Sequence, residues 1–84
     1  MRSISLPKGM IGGAMAITDA ADFGQELRKR RRELGYTQAF LSDFSGFSVS
    51  FISDLENGKQ TAELGKAICL ANLLGLDCLL TPRA

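Results

Sequence analysis

The sequence predicts an all-α domain of four helices followed by one short C-terminal strand. Apolar residues recur at helical spacing in four separate stretches, and each stretch follows a residue suited to capping and ends at a glycine. A chain of 84 residues is long enough for one domain with a single hydrophobic core.

The composition excludes several classes of function. Apolar residues make up 45% of the chain and the net charge is +1, which indicates a folded protein. No apolar run approaches the roughly 18 residues that a membrane-spanning helix requires. The chain lacks histidine, the commonest general base and metal ligand, and has too few cysteines for a closed zinc site. We therefore predict no catalytic site, no metal and no cofactor.

The two cysteines, Cys69 and Cys78, both fall in apolar segments. Cysteines in such segments behave as small hydrophobes, so we expect free thiols in a reducing cytoplasm rather than a disulfide. An enzyme that uses a reactive thiol of either residue is the remaining catalytic hypothesis, and thiol labelling tests it.

Residues 1–17 form a predicted N-terminal arm in front of the domain. Pro7 and three glycines interrupt this segment, so neither a long helix nor a regular strand is favoured, although residues 2–6 can pair as a short strand. The apolar region is too broken by glycine for a signal peptide, which favours a cytoplasmic protein. Met10 and Met15 are alternative starting residues.

The first predicted helix begins at Asp19 and ends at Gly35. Asp19 can cap it, and Asp22 suits the positive end of its dipole. Its apolar stripe consists of Phe23, Leu27 and Leu34. The basic residues 28–32 sweep about 500° around a helix of 3.6 residues per turn, so they cannot all face one partner, and one or two of them are expected to contact phosphate.

Two short helices joined by a glycine-containing turn lie at the centre of the chain. Thr37 can cap the first, over residues 38–44, and Ser48 can cap the second, over residues 49–56, with Gly46 in the turn. This arrangement is a helix-turn-helix unit, whose second helix can lie in a DNA major groove. The apolar residues expected to pack against the first and fourth helices are Phe40, Leu41, Phe44, Phe47, Ile52 and Leu55.

The fourth predicted helix begins at Thr61, its capping residue, and ends at Gly75. Its apolar stripe consists of Leu64, Ala67, Ile68, Ala71 and Leu74. The helices together give a helix-turn-helix domain over residues 18–75, between the arm and a C-terminal segment.

Residues 76–84 form that C-terminal segment, an apolar run that Pro82 ends, which is typical of a strand. A lone strand is unstable in water, and a symmetric second copy of the chain offers an identical edge for pairing. The residues predicted to make this dimer contact are Leu76, Cys78, Leu79 and Leu80. The alternative is that the leucines pack onto the helical core of their own chain.

One ordered set of residues runs through the two central helices and the turn after them: Gln38, Leu41-Ser42, Gly46, Ser48, Ile52 and Leu55-Glu56-Asn57-Gly58-Lys59. The set resembles the lambda-repressor-like helix-turn-helix family, also called Cro or XRE-type, and the resemblance covers residues 19–75. The chain departs from that family at Ser42, where alanine is usual, and in lacking a fifth helix. A short strand in place of that helix is similar to the HipB-type antitoxins.

The resemblance implies a transcriptional repressor that binds a palindromic operator in double-stranded DNA as a homodimer. In HipB-type antitoxins the C-terminal strands pair across the dimer and the protein also binds a HipA-like kinase toxin, so such a toxin is a further expected partner. Glu56 points toward the first helix in this family, which implies an ion pair with Arg31. The competing hypothesis is a protein-interaction module on the same helices, with Phe51 as an exposed anchor.

The expected DNA contacts assume that the second helix of the unit enters the major groove. The residues near its N-terminus that are expected to read base edges are Val49, Ser50, Ser53 and Asp54. Asp54 is equally compatible with an ordinary surface acid. The residues expected to bind phosphates, where the family holds the DNA backbone, are Thr37, Gln38, Ser48, Asn57 and Lys59.

Overall fold

A computed structural model describes residues 10–11 and 14–83 of the chain. Within them the elements are β1 (Met10–Ile11), β2 (Ala14–Met15), α1 (Ala20–Glu33), α2 (Gln38–Ser45), α3 (Val49–Glu56) and α4 (Leu64–Leu73). The predicted all-α domain of four helices is confirmed.

A small antiparallel strand pair precedes the helices. Met10 pairs with Met15, and Ile11 pairs with Ala14. The sequence reasoning predicted no regular strand at this place. In the sequence Gly12-Gly13 stands between the two paired segments, and this dipeptide is a turn signal. The other predicted strand of the arm, over residues 2–6, lies outside the described residues.

Side-chain caps begin three of the four helices where they were predicted. Asp19 accepts a hydrogen bond from the Asp22 N–H at 2.8 Å, Thr37 from Phe40 at 3.0 Å, and Ser48 from Phe51 at 3.0 Å. Each bond satisfies one of the backbone donors that a helix start leaves without a partner.

The start of α4 differs from the prediction. Glu63, not Thr61, stands at the capping position, and no side-chain cap is present there. Thr61 instead lies in the turn that carries the chain from α3 to α4. The predicted cap is therefore wrong, because the connection needs more residues than the sequence pattern indicated.

All four helices end at a glycine with a left-handed backbone, as the sequence predicts: Gly35, Gly46, Gly58 and Gly75, with φ between +75° and +83°. After α1, the Tyr36 N–H returns to the Arg31 carbonyl at 3.0 Å, and the ends of α3 and α4 repeat this bond.

The hydrophobic core is built from residues of all four helices. Its buried members are Leu27, Leu41, Ile52, Leu55, Ala67, Leu70, Ala71 and Leu74. The predicted core positions Phe40 and Phe44 are wrong, since these side chains are 50% and 55% exposed. On this short helix only the stripe around Leu41 faces the core. Leu64 is likewise exposed on α4, where Leu70 fills the core instead.

Helices α1 and α3 approach each other at backbone distance. Gly24 is buried at this crossing, and a Cβ atom placed on it would overlap the Leu55 carbonyl oxygen and lie 2.8 Å from that of Glu56. Only glycine allows so close a crossing. The crossing brings the middle of α1 against the last turn of α3.

Residues 76–83 carry no helix or strand in the described chain, so the predicted C-terminal strand is not confirmed. The alternative, packing onto the chain's own core, holds for Leu76, which is half-buried against it. It does not hold for Leu79 and Leu80, which are 65% and 100% exposed. Among the described residues, no helix is long and apolar enough to cross a membrane.

Candidate nucleic-acid interface

Local hydrogen bonds fix the turn between α2 and α3. The Ser42 hydroxyl donates to the Phe47 carbonyl oxygen at 2.6 Å, and the Phe47 N–H donates to the Ser45 hydroxyl at 3.1 Å. Ser42 therefore does more than fill the space that alanine would occupy, because its hydroxyl ties α2 to the turn. These bonds link the last turn of α2 to the residue that precedes the cap of α3.

Helix α3 has one buried side and one accessible side. Ile52 and Leu55 are buried, whereas Val49 and Ser50 are exposed at the N-terminus of the helix. Ser53 lies one turn further along and is half-exposed. Three of the residues predicted to read bases thus share one accessible surface at the end of the helix.

Asp54, the fourth of those residues, is half-exposed next to Lys59. Its Oδ2 lies 3.5 Å from the Lys59 Nζ, and both side chains are about half accessible. The lysine charge offsets the carboxylate charge, so Asp54 can lie near a phosphate backbone with less repulsion. This arrangement fits a surface acid and also an acceptor for cytosine.

The residues predicted to bind phosphate lie at the starts of α2 and α3 and in the loop that follows α3. Thr37 and Ser48 are exposed at the starts of α2 and α3, and each hydroxyl keeps its proton for donation while its oxygen caps a helix. Asn57 donates to the Ser53 hydroxyl at 3.4 Å. Each of these two helix N-termini thus offers backbone N–H groups beside a hydroxyl donor, an arrangement suited to an anion, while the amide of Asn57 and the ammonium of Lys59 lie after the other end of α3.

Arg31 and Glu56, the residues expected to pair, are brought together by the crossing of α1 and α3. Arg31 Nε lies 2.6 Å from Glu56 Oε2, and Arg31 Nη2 lies 2.9 Å from Oε1. The two side chains are only 9% and 4% exposed. Such a two-pronged pair fixes direction as well as distance.

Two further hydrogen bonds extend this pair into a network. Arg31 Nη1 donates to the Tyr36 carbonyl at 2.8 Å, and Gln38 Nε2 donates to Glu56 Oε1 at 3.1 Å. The network therefore joins α1, the start of α2 and the end of α3. It holds the amide of Gln38, a predicted phosphate ligand, against the carboxylate of Glu56 at the C-terminal end of α3.

The network changes the pKa of both charged groups. Burial raises the pKa of the Glu56 carboxyl, but hydrogen bonds from Arg31 and Gln38 and the charges of Arg31 and Arg28 outweigh it. The net pKa therefore lies below the ordinary value of 4.5. The hydrogen bond to Glu56 raises the pKa of Arg31 against the effect of burial. Both groups are charged at neutral pH.

The lowered pKa of Glu56 predicts that acid weakens the fold. Its stabilising contribution is complete above the ordinary value of 4.5 and is lost as the pH falls through the lowered pKa. Between neutral pH and a pH below that range, we expect the wild type to lose more unfolding free energy than a Glu56→Gln variant. Urea denaturation at both pH values measures this difference, and equal losses would contradict the role of the carboxylate.

Two structural contacts were not predicted from the sequence. Arg30 Nε donates to the Leu74 carbonyl at 2.8 Å, which ties α1 to the C-terminal end of α4. Gly24 permits the crossing of α1 and α3. The sequence signal for the close crossing was a glycine, Gly24, inside an otherwise good helix. The contact between Arg30 and Leu74 had no sequence signal, because the two residues are 44 positions apart. No group of metal-ligating side chains occurs among the described residues.

The crossed helices, the short glycine turn and the exposed end of α3 define a helix-turn-helix protein of the Cro/XRE class. The chain belongs to the helix-turn-helix family, which matches residues 27–79.

Two named relatives are regulators, and neither is named as an enzyme. An uncharacterised HTH-type transcriptional regulator of Sinorhizobium fredii, y4mF, is 39% identical over 62 residues, which are 74% of this chain and 82% of the relative. A competence pilus inhibition repressor of Acinetobacter baylyi is 51% identical over 39 residues, which are 46% of this chain and 36% of the repressor.

Solved structures of HipB have the same fold. A HipB variant in an O2 20mer complex superposes with a TM-score of 0.73 and 24% identity, covering 81% of this chain and 94% of that one. HipB in an O4 20mer complex gives a TM-score of 0.73 and 22% identity, covering 81% and 96%. At this identity the likeness concerns the fold alone.

Proposed function

We propose that this chain is a cytoplasmic, sequence-specific transcriptional repressor that places α3 in the major groove of double-stranded DNA. The observation that supports this most is the buried network of Arg31, Glu56 and Gln38, which joins α1, the start of α2 and the last residue of α3 and so fixes how α3 is held in the domain. Membership of the helix-turn-helix family and the named regulators among its relatives support the same function.

The side chains of α3 suit base reading by direct contact. Val49 offers an apolar contact to a thymine methyl group, and Ser50 and Ser53 can donate or accept hydrogen bonds. Asp54 can accept from the amino group of cytosine while Lys59 offsets its charge. Such contacts favour particular bases, whereas the donors at the helix N-termini would hold the phosphate backbone and fix the register.

Removing two contacts on α3 tests the base-reading role. We expect Val49→Ala and Ser50→Ala each to weaken binding to the operator by about 1–3 kcal/mol and to leave binding to random duplex unchanged. Gel shifts with the DNA upstream of the protein's own gene, against a random duplex at moderate salt, measure both. Asn72→Ala, an exposed change on α4, is the matched control. Equal wild-type affinity for the two duplexes would refute specific repression.

The proposed repressor is a homodimer that binds a palindromic operator. Leu76, Cys78, Leu79 and Leu80 would form a strand that pairs with its copy in the second chain. The exposure of Leu79 and Leu80 supports this, since two leucines remain open to solvent in the single chain. A symmetric pair of chains would present two α3 helices to successive major-groove turns, about 34 Å apart.

Charged residues introduced into the C-terminal segment, residues 76–84, should dissociate the proposed homodimer. We expect Leu79→Asp with Leu80→Asp to give a monomer in sedimentation equilibrium, because two carboxylates cannot be buried at a strand pair. This pair of changes is sharper than deleting residues 76–84, since Leu76 also belongs to the core of its own chain. Leu64→Asp, another exposed leucine, is the control and should leave the mass unchanged. An unchanged dimer in the double variant would contradict strand pairing.

A protein-interaction module is the competing function. One observation favours it, but with other exposed phenylalanines in place of Phe51. The proposed anchor Phe51 is half-buried, with its ring centroid 5.1 Å from that of Phe47, so it cannot serve as an exposed anchor. Phe40 and Phe44 instead stack on the outer face of α2, with ring centroids 6.2 Å apart. Loss of a partner in Phe40→Ser and Phe44→Ser variants, without loss of DNA affinity, would identify this function.

The antitoxin role is a narrower form of the same proposal. The fold shared with HipB supports testing a HipA-like kinase toxin as a second partner. A gene for such a kinase next to this one, and a complex between the two purified proteins, are the expected findings. A neighbouring gene of another kind would favour a solitary regulator.

A further inference from the structure

We infer that Arg28, Lys29 and Arg32 form a second DNA contact on the outer side of α1, which binds backbone phosphates beyond the bases that α3 reads. This inference rests on the proposed DNA binding and adds a surface to it. We call these three residues the α1 basic face.

Helical spacing places the three cations together. Arg28 and Arg32 are four positions apart, and Lys29 is three positions before Arg32, so the side chains are neighbours on one side of the helix. All three are exposed, and with Gln25 and Glu33 they line one shallow groove. The five basic residues 28–32 cannot all face one partner. Three of them nevertheless lie on a single surface.

The other basic residues of the folded body already have partners. The ion pairs of the described residues are Arg30 with Glu33, Arg31 with Glu56, Lys59 with Asp54 and Lys66 with Glu63. Among those same residues, none forms an ion pair with a member of the α1 basic face. Glu33, which lies beside that face, has its carboxylate 3.6 Å from Arg30. The three adjacent positive charges of the α1 basic face are therefore available to bind an anion.

The helix dipole explains only part of this arrangement. Cations are favoured in the last turn of a helix, which here contains Arg32 together with Arg30 and Arg31. Arg28 and Lys29 lie before that turn, where the dipole gives little stabilisation. The helix dipole therefore does not account for the clustering of Arg28 and Lys29 with Arg32, whereas binding of a polyanion would.

The position of the face selects DNA as that polyanion. The Arg28 charge acts on the carboxylate of Glu56, which the predicted phosphate ligand Gln38 also contacts. Ala21, seven positions before Arg28 on the same side of α1, lies against Gly58, in the loop that holds the predicted ligands Asn57 and Lys59. The α1 basic face therefore continues along the edge of the proposed DNA surface. A duplex carries one phosphate charge for about each 1.7 Å of its axis, so DNA that extends past the half-site would meet it.

The test compares wild type with a triple variant, Arg28→Gln, Lys29→Gln and Arg32→Gln, on two duplexes. One duplex ends at the recognised half-sites, and the other continues into flanking DNA on both sides. We expect the wild type to bind the longer duplex more tightly and the triple variant to lose this gain. We also expect the slope of log K against log salt to fall by up to about 5 for a dimer that loses six phosphate contacts.

Two controls keep the outcomes distinct. Lys66→Gln removes an exposed cation on α4 that already pairs with Glu63, and it should leave the slope unchanged. Arg28→Lys with Arg32→Lys keeps the charge and should retain the wild-type slope, which separates charge from packing. A triple variant that matches wild type in slope and length dependence would overturn the inference while leaving specific repression intact. Wild type that binds operator and random duplex equally would instead overturn the proposed function.

Discussion

Replacing Glu56 by alanine is expected to lower the free energy of unfolding by about 3–5 kcal/mol. The substitution leaves the guanidinium of Arg31 charged in a site where its side chain is 9% exposed. It also removes the acceptor of Gln38. The total stability of a small domain is about 5–15 kcal/mol, so this one change should remove a large part of it. Urea unfolding followed by far-UV circular dichroism measures the loss.

Two further variants separate the buried pair from charge in general. Lys66→Ala breaks an exposed pair of 3.2 Å on α4 and should cost less than about 1 kcal/mol. Arg31→Met with Glu56→Leu removes both charges and should recover much of the loss, because no lone charge stays buried. A Glu56→Ala protein with wild-type stability and DNA affinity would refute the role of the pair.

Replacing Gly24 by alanine is expected to cost about 3 kcal/mol or more, because overpacking against backbone cannot be relieved by a rotamer change. The added Cβ would overlap the Leu55 carbonyl and press on that of Glu56. Helices α1 and α3 must then separate, which also pulls Arg31 away from Glu56. DNA affinity should fall further than the folded fraction explains, since α3 loses its fixed angle.

Gly65→Ala provides a control of opposite sign. Gly65 also lies within a helix, but a Cβ placed on it meets nothing within 4 Å. Alanine there should stabilise the protein by about 0.5–1 kcal/mol, because alanine is the better helix former. Thermal unfolding of both variants gives the comparison. If Gly24→Ala proved as harmless as Gly65→Ala, the close crossing of α1 and α3 would be wrong.

Local chemistry made the helices and their ends predictable. A cap needs only an oxygen such as that of Asp19, and a helix end needs only a residue tolerant of positive φ, such as Gly58. Both requirements act over three or four residues of the chain, so they can be read in order from the sequence. The helix-turn-helix unit followed from two such helices and the glycine between them.

The faces of the short helices could not be predicted in the same way. Helix α2 carries Phe40, Leu41 and Phe44 within eight residues, and either side of that group could face the core. In the packed domain the side chain of Leu41 is buried, and both phenylalanines remain exposed. For the same reason Leu64 of α4 was predicted to be buried but is exposed, and Leu70 is buried instead. Apolar pattern alone does not fix rotation when a helix has only two turns.

The sequence by itself determined the number of helices, three of their four caps, their glycine ends and the family. Tertiary structure decided which side of each helix is buried, that Gly24 permits the crossing, and that Arg31, Gln38 and Glu56 form one network. These features depend on groups far apart in the chain, 18 and 25 residues for the network, whose distance is set only when helices pack. Leu79 and Leu80 belong to neither set, because both are exposed in the single chain and the proposed strand would require a second copy.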